Sequence, residues 1–239
     1  MKAKEFFSLF RESFKDLIRR PALIIPGLFL WVLISILSKI SVSVNYKLTN
    51  SVHIISWLIV FSIVSLSLMS FIFSGLIGFS GHVIKKKSFT AKEFFGFGER
   101  FWLQNFFVML MILVVTILIG RIAHFLAAGI GSQFNLTYQP ALLIFVLIYF
   151  IGLIAGLIWF TFGNFMVVLK DSRAFGGVRA SASLVKKEYL DTLSLNVLLF
   201  AALWLVRNVE GIVFELVEYG LVVPYLSLLF SRFVLFNRK

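Results

Sequence analysis

Long apolar stretches alternate with short polar segments along most of the chain. A helix needs about 20 mostly apolar residues to cross the ~30 Å hydrocarbon core of a bilayer. The pattern predicts six such helices, at 22–40, within the charge-free stretch 48–84, and at 101–120, 141–168, 190–208 and 212–232. We therefore expect an all-α polytopic membrane protein with six transmembrane helices, forming a single integral membrane domain over residues 1–239.

The composition supports a bilayer as the solvent of these helices. Of the 239 residues, 60% are hydrophobic and 14% are charged, whereas a soluble domain carries roughly 25% charged residues. The N-terminus lacks the apolar core and cleavage site of a signal peptide, so the first apolar stretch is expected to remain as a span. The absence of cysteine excludes disulfides, thiol nucleophiles and Cys-ligated metal sites.

The basic residues are distributed unevenly between the segments that join the predicted spans. Of the 23 Lys and Arg residues, 19 lie in the N-terminal tail, the segments 85–100 and 170–189, and the C-terminal end. The segments on the other side hold Lys39, Lys47, Arg121 and Arg207. Because loops with an excess of Lys and Arg stay in the cytoplasm, the pattern predicts a multi-pass protein of the cell membrane with both termini cytoplasmic.

Each basic segment also contains an amphipathic stretch, which predicts helices lying at the cytoplasmic membrane surface. In the tail, apolar residues recur at three- and four-residue steps, at Phe6, Phe10, Phe14, Leu17 and Ile18. In the second segment, Thr90 and Glu93 have the spacing of a capping box. In the third, one helical face carries Ala174, Val178, Ser181, Val185 and Tyr189. This pattern divides the chain into three candidate hairpin repeats, approximately 1–84, 85–169 and 170–239.

Small residues on two of the spans predict where helices approach closely. A stripe on the second span consists of Ser67, Ser70, Ser74, Gly78 and Gly81, and the fourth span contains Gly152 and Gly156 in a G-x-x-x-G motif. We favour packing within one chain over a homodimer interface. The expected contact is between the second and fourth spans.

Four segments in order carry a resemblance to a known family. They are SFKDLIRRPALIIPGLFL, FSGLIGFSGHVIKKKSFTAKEFFGFGERFW, VVLKDSRAFGGVRASASLVKKEYLDTLSLN and GLVVPYLSLLFSRFVLF. The chain resembles uncharacterised six-span prokaryotic membrane proteins related to the membrane domain of glycerophosphodiester phosphodiesterases. The resemblance implies the fold and the membrane location. It implies no activity, because the phosphodiesterase chemistry of that family belongs to a separate soluble domain.

The residues that usually perform catalysis form no convincing set in this chain. His53 and His124 are expected near the outer side and His82 near the inner side, so the three histidines do not share a depth. No Ser/His/Asp set or carboxylate pair lies at one level. Gly176 and Gly177 lack the Gly-Lys-Ser/Thr that follows in a phosphate-binding loop. We therefore expect a protein that is not an enzyme, with no cofactor and no metal site.

One candidate polar site lies toward the outer side of the membrane. If the last span starts near Ile212 and ends near Arg232, two carboxylates fall in the outer leaflet, where ionised groups are costly and usually functional. The predicted charge cluster, which would bind an ion or a headgroup, consists of Arg121, Arg207, Glu210, Glu215 and Glu218. In the alternative interpretation, Phe233–Phe236 complete the span, Arg232 snorkels, and Glu218 lies at the water interface.

The basic cytoplasmic face is the other candidate site. Each basic residue near an anionic membrane surface contributes about 1 kcal/mol of attraction. The candidate contacts are Lys85, Lys86, Lys87, Arg179, Lys186 and Lys187. The leading hypothesis is a non-enzymatic protein that organises lipid or a partner protein through this face. The alternative is a small transporter or channel that uses the charge cluster at the outer ends of spans three, five and six. The expected partners are anionic lipid headgroups or another membrane protein, and not nucleic acid.

Overall fold

The computed structural model describes residues 3–45, 51–134, 137–207 and 212–237, and within these ranges it is helical with no strand. The helices are α1 (Ala3–Arg19), α2 (Ile24–Asn45), α3 (Ser51–Ile84), α4 (Ala91–Gln133), α5 (Tyr138–Leu157), α6 (Gly163–Lys170), α7 (Ala174–Lys187), α8 (Tyr189–Arg207), α9 (Ile212–Val217) and α10 (Val223–Phe236). Short 3₁₀ segments occur at Pro21–Leu23 and Ile158–Phe160, and a π-helical segment occurs at Glu218–Val222.

Five helical segments in the described ranges are long and apolar enough to cross a membrane. They are Pro21–Val44, Val52–Ile84, Ala91–Gln133, Tyr138–Lys170 and Glu215–Phe236. These segments coincide with the first four and the last of the expected spans. The expected fifth span falls on α8, where the described apolar part is the shorter segment Tyr189–Leu199. The multi-pass character is thus confirmed for five helices, and a sixth crossing by α8 stays a prediction.

The surface of the bundle has the character that a bilayer requires. Large apolar side chains project outward along the long helices, for example Phe125 on α4 and Leu143 on α5, which are 78% and 70% exposed. In water, so large an apolar surface would drive association or aggregation. In hydrocarbon these side chains meet a matching environment, and the helices satisfy their backbone groups internally.

The small residues on the spans pack mainly against α4. The prediction that the small-residue stripe of the second span contacts the fourth span is therefore wrong for most of its residues. Gly78 lies against the Phe97 ring, and Ser74 accepts a 2.6 Å hydrogen bond from Asn105 Nδ2. Only the inner end of the stripe reaches the fourth span, where Gly81 contacts Leu169 of α6. The G-x-x-x-G motif, Gly152 and Gly156, also faces α4, through Ile119.

The N-terminal amphipathic helix packs against the last span. Its Leu9 and Leu17 are buried, while Phe7, Phe14 and Ile18 remain exposed, so one apolar face covers protein and another is free for the membrane surface. Arg232 of α10 donates from its two terminal nitrogens to Glu12 and Asp16 of α1. Arg232 is only 6% exposed. The alternative interpretation expected the Arg232 side chain to snorkel to the membrane surface. In the structure it pairs instead with the two carboxylates of α1.

The second amphipathic stretch forms no helix of its own. The capping box is confirmed: the Thr90 hydroxyl accepts from the Glu93 N–H, and the Glu93 carboxylate accepts from the Thr90 N–H. The helix that starts there continues without a break for 43 residues, which is about 65 Å at 1.5 Å per residue. This length exceeds the hydrocarbon core, so the first turns of α4 extend the third span beyond it.

The third amphipathic stretch, α7, is packed into the bundle. Its buried face consists of Ala174, Gly177, Ser181, Leu184 and Val185, and it contacts α6 and the 3₁₀ segment Ile158–Phe160. Tyr189, expected on the same face, is exposed. The three amphipathic stretches thus have three different settings, and the division into repeats stays a prediction.

The basic segments meet at one end of the bundle, which we call the basic end. It comprises α1, residues 85–100, residues 170–187 and the C-terminal part of α10. Arg20 Nη1 donates to the Lys87 carbonyl at 2.9 Å, and Arg100 pairs with Asp171. Together with the Arg232 contacts, these pairs join the segments that the charge pattern assigns to one side.

The side assignment can be tested by labelling, because the chain contains no cysteine. Gln133, at the end of α4 opposite the basic end, is exposed, and so is Ser88 at the basic end. We expect Gln133→Cys to react with a membrane-impermeant maleimide added to intact cells, and Ser88→Cys to react only after the cells are opened. The opposite pattern would overturn the assignment.

Candidate functional site

The turn after α3 presents three lysines side by side at the basic end. The Lys87 N–H donates to the His82 carbonyl at 2.9 Å and the Lys86 N–H donates to the Val83 carbonyl at 3.0 Å, which is the Schellman ending of a helix. Lys86 has a φ of 55°, in the left-handed region that normally favours glycine. The three lysine side chains are exposed. A position that favours glycine thus carries a positive charge.

An apolar groove of about 320 Å³ lies next to this turn, between α2, the end of α3 and the start of α4. Five of its lining residues are phenylalanines: Phe29, Phe79, Phe89, Phe94 and Phe95. Phe79 and Phe89 stack with their ring centroids 4.4 Å apart. The groove contains almost no polar surface, and the exposed side chains of Ile25 and Phe29 at its edge open it toward the apolar exterior. Its shape and lining suit an alkyl chain.

The groove and the lysine turn are continuous along the chain. Phe89 follows Lys87 by two residues, and Ala22, which also lines the groove, follows Arg20 by two. The hydrogen bond from Arg20 to the Lys87 carbonyl brings these two segments together. An apolar slot with cations at one end is the arrangement that a lipid with an anionic headgroup requires. We call Arg20, the Lys85–Lys87 turn and the groove the candidate lipid site.

The other predicted basic contacts lie elsewhere at the basic end. Arg179, Lys186 and Lys187 are exposed on α7. Helix α7 is joined to α4 at its start, where the Ala174 N–H donates to Gln104 Oε1 at 2.9 Å. These residues belong to the basic end but line no groove among those described.

The predicted outer charge cluster is distributed over several elements. Glu215 accepts a 2.8 Å hydrogen bond from Trp31 Nε1 of α2 and is exposed, whereas Glu218 is buried in the π-helical segment. Arg121 is exposed on α4 and forms no ion pair within the described ranges. Arg207 is the last residue of α8, and Glu210 lies outside the described residues.

The π-helical segment around Glu218 packs closely on α2. A Cβ atom at Gly27 would lie 1.9 Å from the Tyr219 carbonyl oxygen, so only glycine permits this approach. Glu215 thus contacts α2 through Trp31, and the segment that carries Glu218 packs on α2, whereas Arg121 lies on α4, which packs on α3 and α5.

A second cavity, of about 320 Å³, lies where the fourth span is broken. Helix α5 ends at Leu157, one 3₁₀ turn follows, and α6 begins at Gly163. The cavity is lined by residues around this break, by α8, and by α10 directly after the π-helical segment. The cavity thus lies beside the break in the fourth span, and on the last span it begins at Val223, directly after the π-helical segment. Its polar lining residues are Thr161, Asn164, Asn196 and Ser227.

Buried hydroxyl and amide groups supply the hydrogen bonds that the broken span lacks. Ser181 of α7 accepts from the Phe162 N–H at 3.1 Å and donates to the Trp159 carbonyl at 2.8 Å. Thr161 Oγ1 donates to Asn196 Oδ1 at 3.1 Å, and Asn196 Nδ2 donates to the Thr192 carbonyl at 2.9 Å. Irregular backbone at membrane depth is tolerated where protein groups bond to it in this way.

Two kinds of sequence feature mark the region of this cavity: polar residues within apolar stretches and a candidate helix break. Asn164 and Asn196 stand out as polar residues in apolar stretches, and Pro224 is a candidate helix break. The break in the fourth span follows no proline. It coincides with Thr161, Gly163 and Asn164, a short polar interruption of an otherwise apolar run.

Comparison with known proteins found no match among family models, curated proteins or solved structures. The likeness to proteins related to the glycerophosphodiester phosphodiesterase membrane domain therefore stays a prediction from the four sequence segments.

The hydrogen bonds of Ser181 generate a test of the broken span. In Ser181→Ala the Phe162 N–H and the Trp159 carbonyl lose their partner in a buried setting, which costs roughly 1–3 kcal/mol for each unsatisfied group. We expect a clearly lower melting temperature in detergent micelles. Ser183→Ala, two residues along α7 at an exposed position, is the matched control and should melt like the wild type. Equal melting of the two variants would contradict the role of Ser181.

Proposed function

We propose that this is a non-enzymatic multi-pass membrane protein that binds and organises anionic lipid through its basic cytoplasmic face. The observation that supports this proposal best is the candidate lipid site, in which an apolar groove is lined by Ala22 and Phe89, each two residues along the chain from Arg20 and Lys87. The groove receives an acyl chain, and the cations bind the phosphate of the headgroup.

The energetics of this arrangement favour an anionic over a zwitterionic lipid. Each basic residue at a membrane surface attracts anionic lipid with about 1 kcal/mol. Three lysines and one arginine therefore contribute several kcal/mol together, in addition to the burial of apolar surface in the groove. Exposed Arg179, Lys186 and Lys187 extend the attraction over the rest of the basic end without fixing one lipid in place.

A partner membrane protein is the second occupant of the basic end that fits these features. Exposed Phe7, Phe14 and Ile18 on α1 form an apolar surface beside the basic residues. The groove favours lipid, since its surface is almost entirely apolar.

Lys86 offers a way to remove charge without disturbing the fold. Because its φ of 55° suits glycine, Lys86→Gly should keep or raise stability while it removes one cation. We expect the affinity for phosphatidylglycerol to fall roughly fivefold, the equivalent of about 1 kcal/mol. Native mass spectrometry of the purified protein, titrated with phosphatidylglycerol and with phosphatidylcholine, measures this change.

The control for Lys86→Gly is Lys39→Gln, which removes one exposed charge from α2, away from the basic end. It should leave the affinity for phosphatidylglycerol unchanged. If Lys86→Gly binds this lipid as tightly as the wild type does, the turn is not part of a lipid site.

Transport is a second candidate function, and one observation favours it. Transporters commonly bind their substrates where discontinuous helices meet near the bilayer centre. Here the fourth span is broken at Ile158–Phe160 and a π-helical segment interrupts the last span, and Glu218 is buried in that π-helical segment. In this function the outer carboxylates Glu215 and Glu218 take part in the pathway.

Ion flux into proteoliposomes tests this second candidate. If the protein conducts cations, Glu218→Gln should abolish the flux of potassium ions or protons and Glu215→Gln should reduce it. Glu99→Gln, at an exposed position of the basic end, should leave the flux unchanged. If liposomes that contain the wild-type protein are no more permeable to potassium ions and protons than protein-free liposomes, cation transport is excluded.

A further inference from the structure

Helix α1 packs beside the ends of two spans at the basic end. Leu17 is buried in one apolar cluster with Val83, near the end of α3, and Leu228 of α10. Leu9 is buried in another cluster with Phe233, near the end of α10. These partners belong to segments that are long and apolar enough to span a membrane. Helix α1 therefore lies alongside the bundle at the level of the span ends.

The side of α1 that faces away from the bundle carries two neighbouring rows of side chains. The first, which we call the apolar row, consists of residues that are more than half exposed, Phe7, Phe14 and Ile18. The second, the basic row, consists of exposed residues at four-residue steps, Arg11, Lys15 and Arg19. Residues three and four apart are neighbours on a helix surface, so Arg11 lies beside both Phe7 and Phe14. Cations thus follow the edge of the apolar row for about two helical turns.

The carboxylates of α1 leave the charge of the basic row available. Glu12 and Asp16 pair with the buried Arg232 of α10. Within the ranges that the structure describes, no residue of the basic row forms an ion pair. The basic row therefore presents its charge to a partner outside the chain.

An apolar row with cations along its edge is complementary to an anionic membrane surface. Helices that bind such surfaces place their apolar side chains at the boundary of headgroups and acyl chains, with Lys and Arg on the polar face. The position of α1 beside the span ends brings its apolar row to this boundary. A second copy of the chain would present the same cations at this end instead of counter-charges.

We propose that α1 is an anionic-lipid-binding helix in its own right, with its apolar row among the acyl chains and its basic row on the lipid phosphates. This contact is separate from the candidate lipid site, whose groove lies between α2, the end of α3 and the start of α4. It rests on the proposed function only in taking the leaflet at the basic end to contain anionic lipid. Helix α1 then has two attachments, to α10 through Arg232 and to the membrane through its exposed side.

Spin labelling tests the depth of α1, because an introduced cysteine is the only one in the chain. Phe7→Cys, Phe14→Cys and Ile18→Cys each carry a nitroxide in the full-length protein, in liposomes of phosphatidylcholine and phosphatidylglycerol in equal amounts. We expect the nitroxide to collide more with oxygen than with a water-soluble nickel chelate at all three positions. Ser8→Cys, at an exposed position on the polar side of α1, should show the reverse.

Two other results of this measurement would overturn the proposal. Preference for the nickel chelate at the three positions would place the apolar row in water. Poor access for both reagents would mean that protein, such as a second copy of the chain, covers the row.

Fluorescence quenching tests whether the basic row selects anionic headgroups. A bimane on Phe14→Cys is quenched by doxyl-labelled phosphatidylglycerol or phosphatidylcholine, and we expect the former to quench more strongly. Lys15→Gln should lower this preference by up to about fivefold, the equivalent of about 1 kcal/mol for one basic residue at an anionic surface. The matched control is Lys92→Gln, which removes an exposed cation of the basic end from α4 and should leave the preference unchanged.

Equal quenching by the two lipids, or equal effects of Lys15→Gln and Lys92→Gln, would overturn the proposal. The candidate lipid site is tested separately, by the effect of Lys86→Gly on the affinity for phosphatidylglycerol. The groove and the α1 contact can therefore fail independently of each other.

Discussion

The hydrocarbon core of a membrane offers no hydrogen-bond partners, and the unusual parts of this structure follow from that constraint. Five long helices satisfy their backbone internally and expose apolar side chains. The fourth span is interrupted, and the groups freed there require a partner. Helix α7 supplies it through Ser181, which bonds to both Phe162 and Trp159. A polar segment between spans is thereby drawn into the bundle, and a cavity beside Asn164 is lined by the broken span, α8 and α10.

The same desolvation cost explains how the basic end is organised. Arg232 lies near the inner end of the last span and is almost fully buried, so its charge requires counter-charges. Glu12 and Asp16 of the amphipathic α1 provide them, which attaches this helix to α10. Arg20, directly after α1, then reaches the Lys87 carbonyl. The three lysines of the turn beside the groove remain exposed.

Much of the architecture could be predicted from sequence, because the bilayer imposes a length and a polarity on each span. The start of α4 after Thr90 could also be predicted, because a capping box depends on residues that are close together in the sequence. The partner of the small-residue stripe did not, since Ser74 and Gly78 indicate a close approach without indicating which helix approaches. The break in the fourth span was also missed. Asn164 marks it, but Asn105 is a similar polar residue within the uninterrupted α4, so the residue type alone does not distinguish the two cases. The cavity depends on contacts between spans that are distant in sequence.

We propose that the groove beside the Lys85–Lys87 turn holds an anionic lipid, and a cryo-electron microscopy structure in nanodiscs that contain phosphatidylglycerol tests this most directly. We expect density for an acyl chain beside Phe89 and Phe94, with the phosphate in hydrogen-bonding distance of the lysine turn. A groove closed by its own side chains, with ordered lipid only at other surfaces, would contradict the proposal.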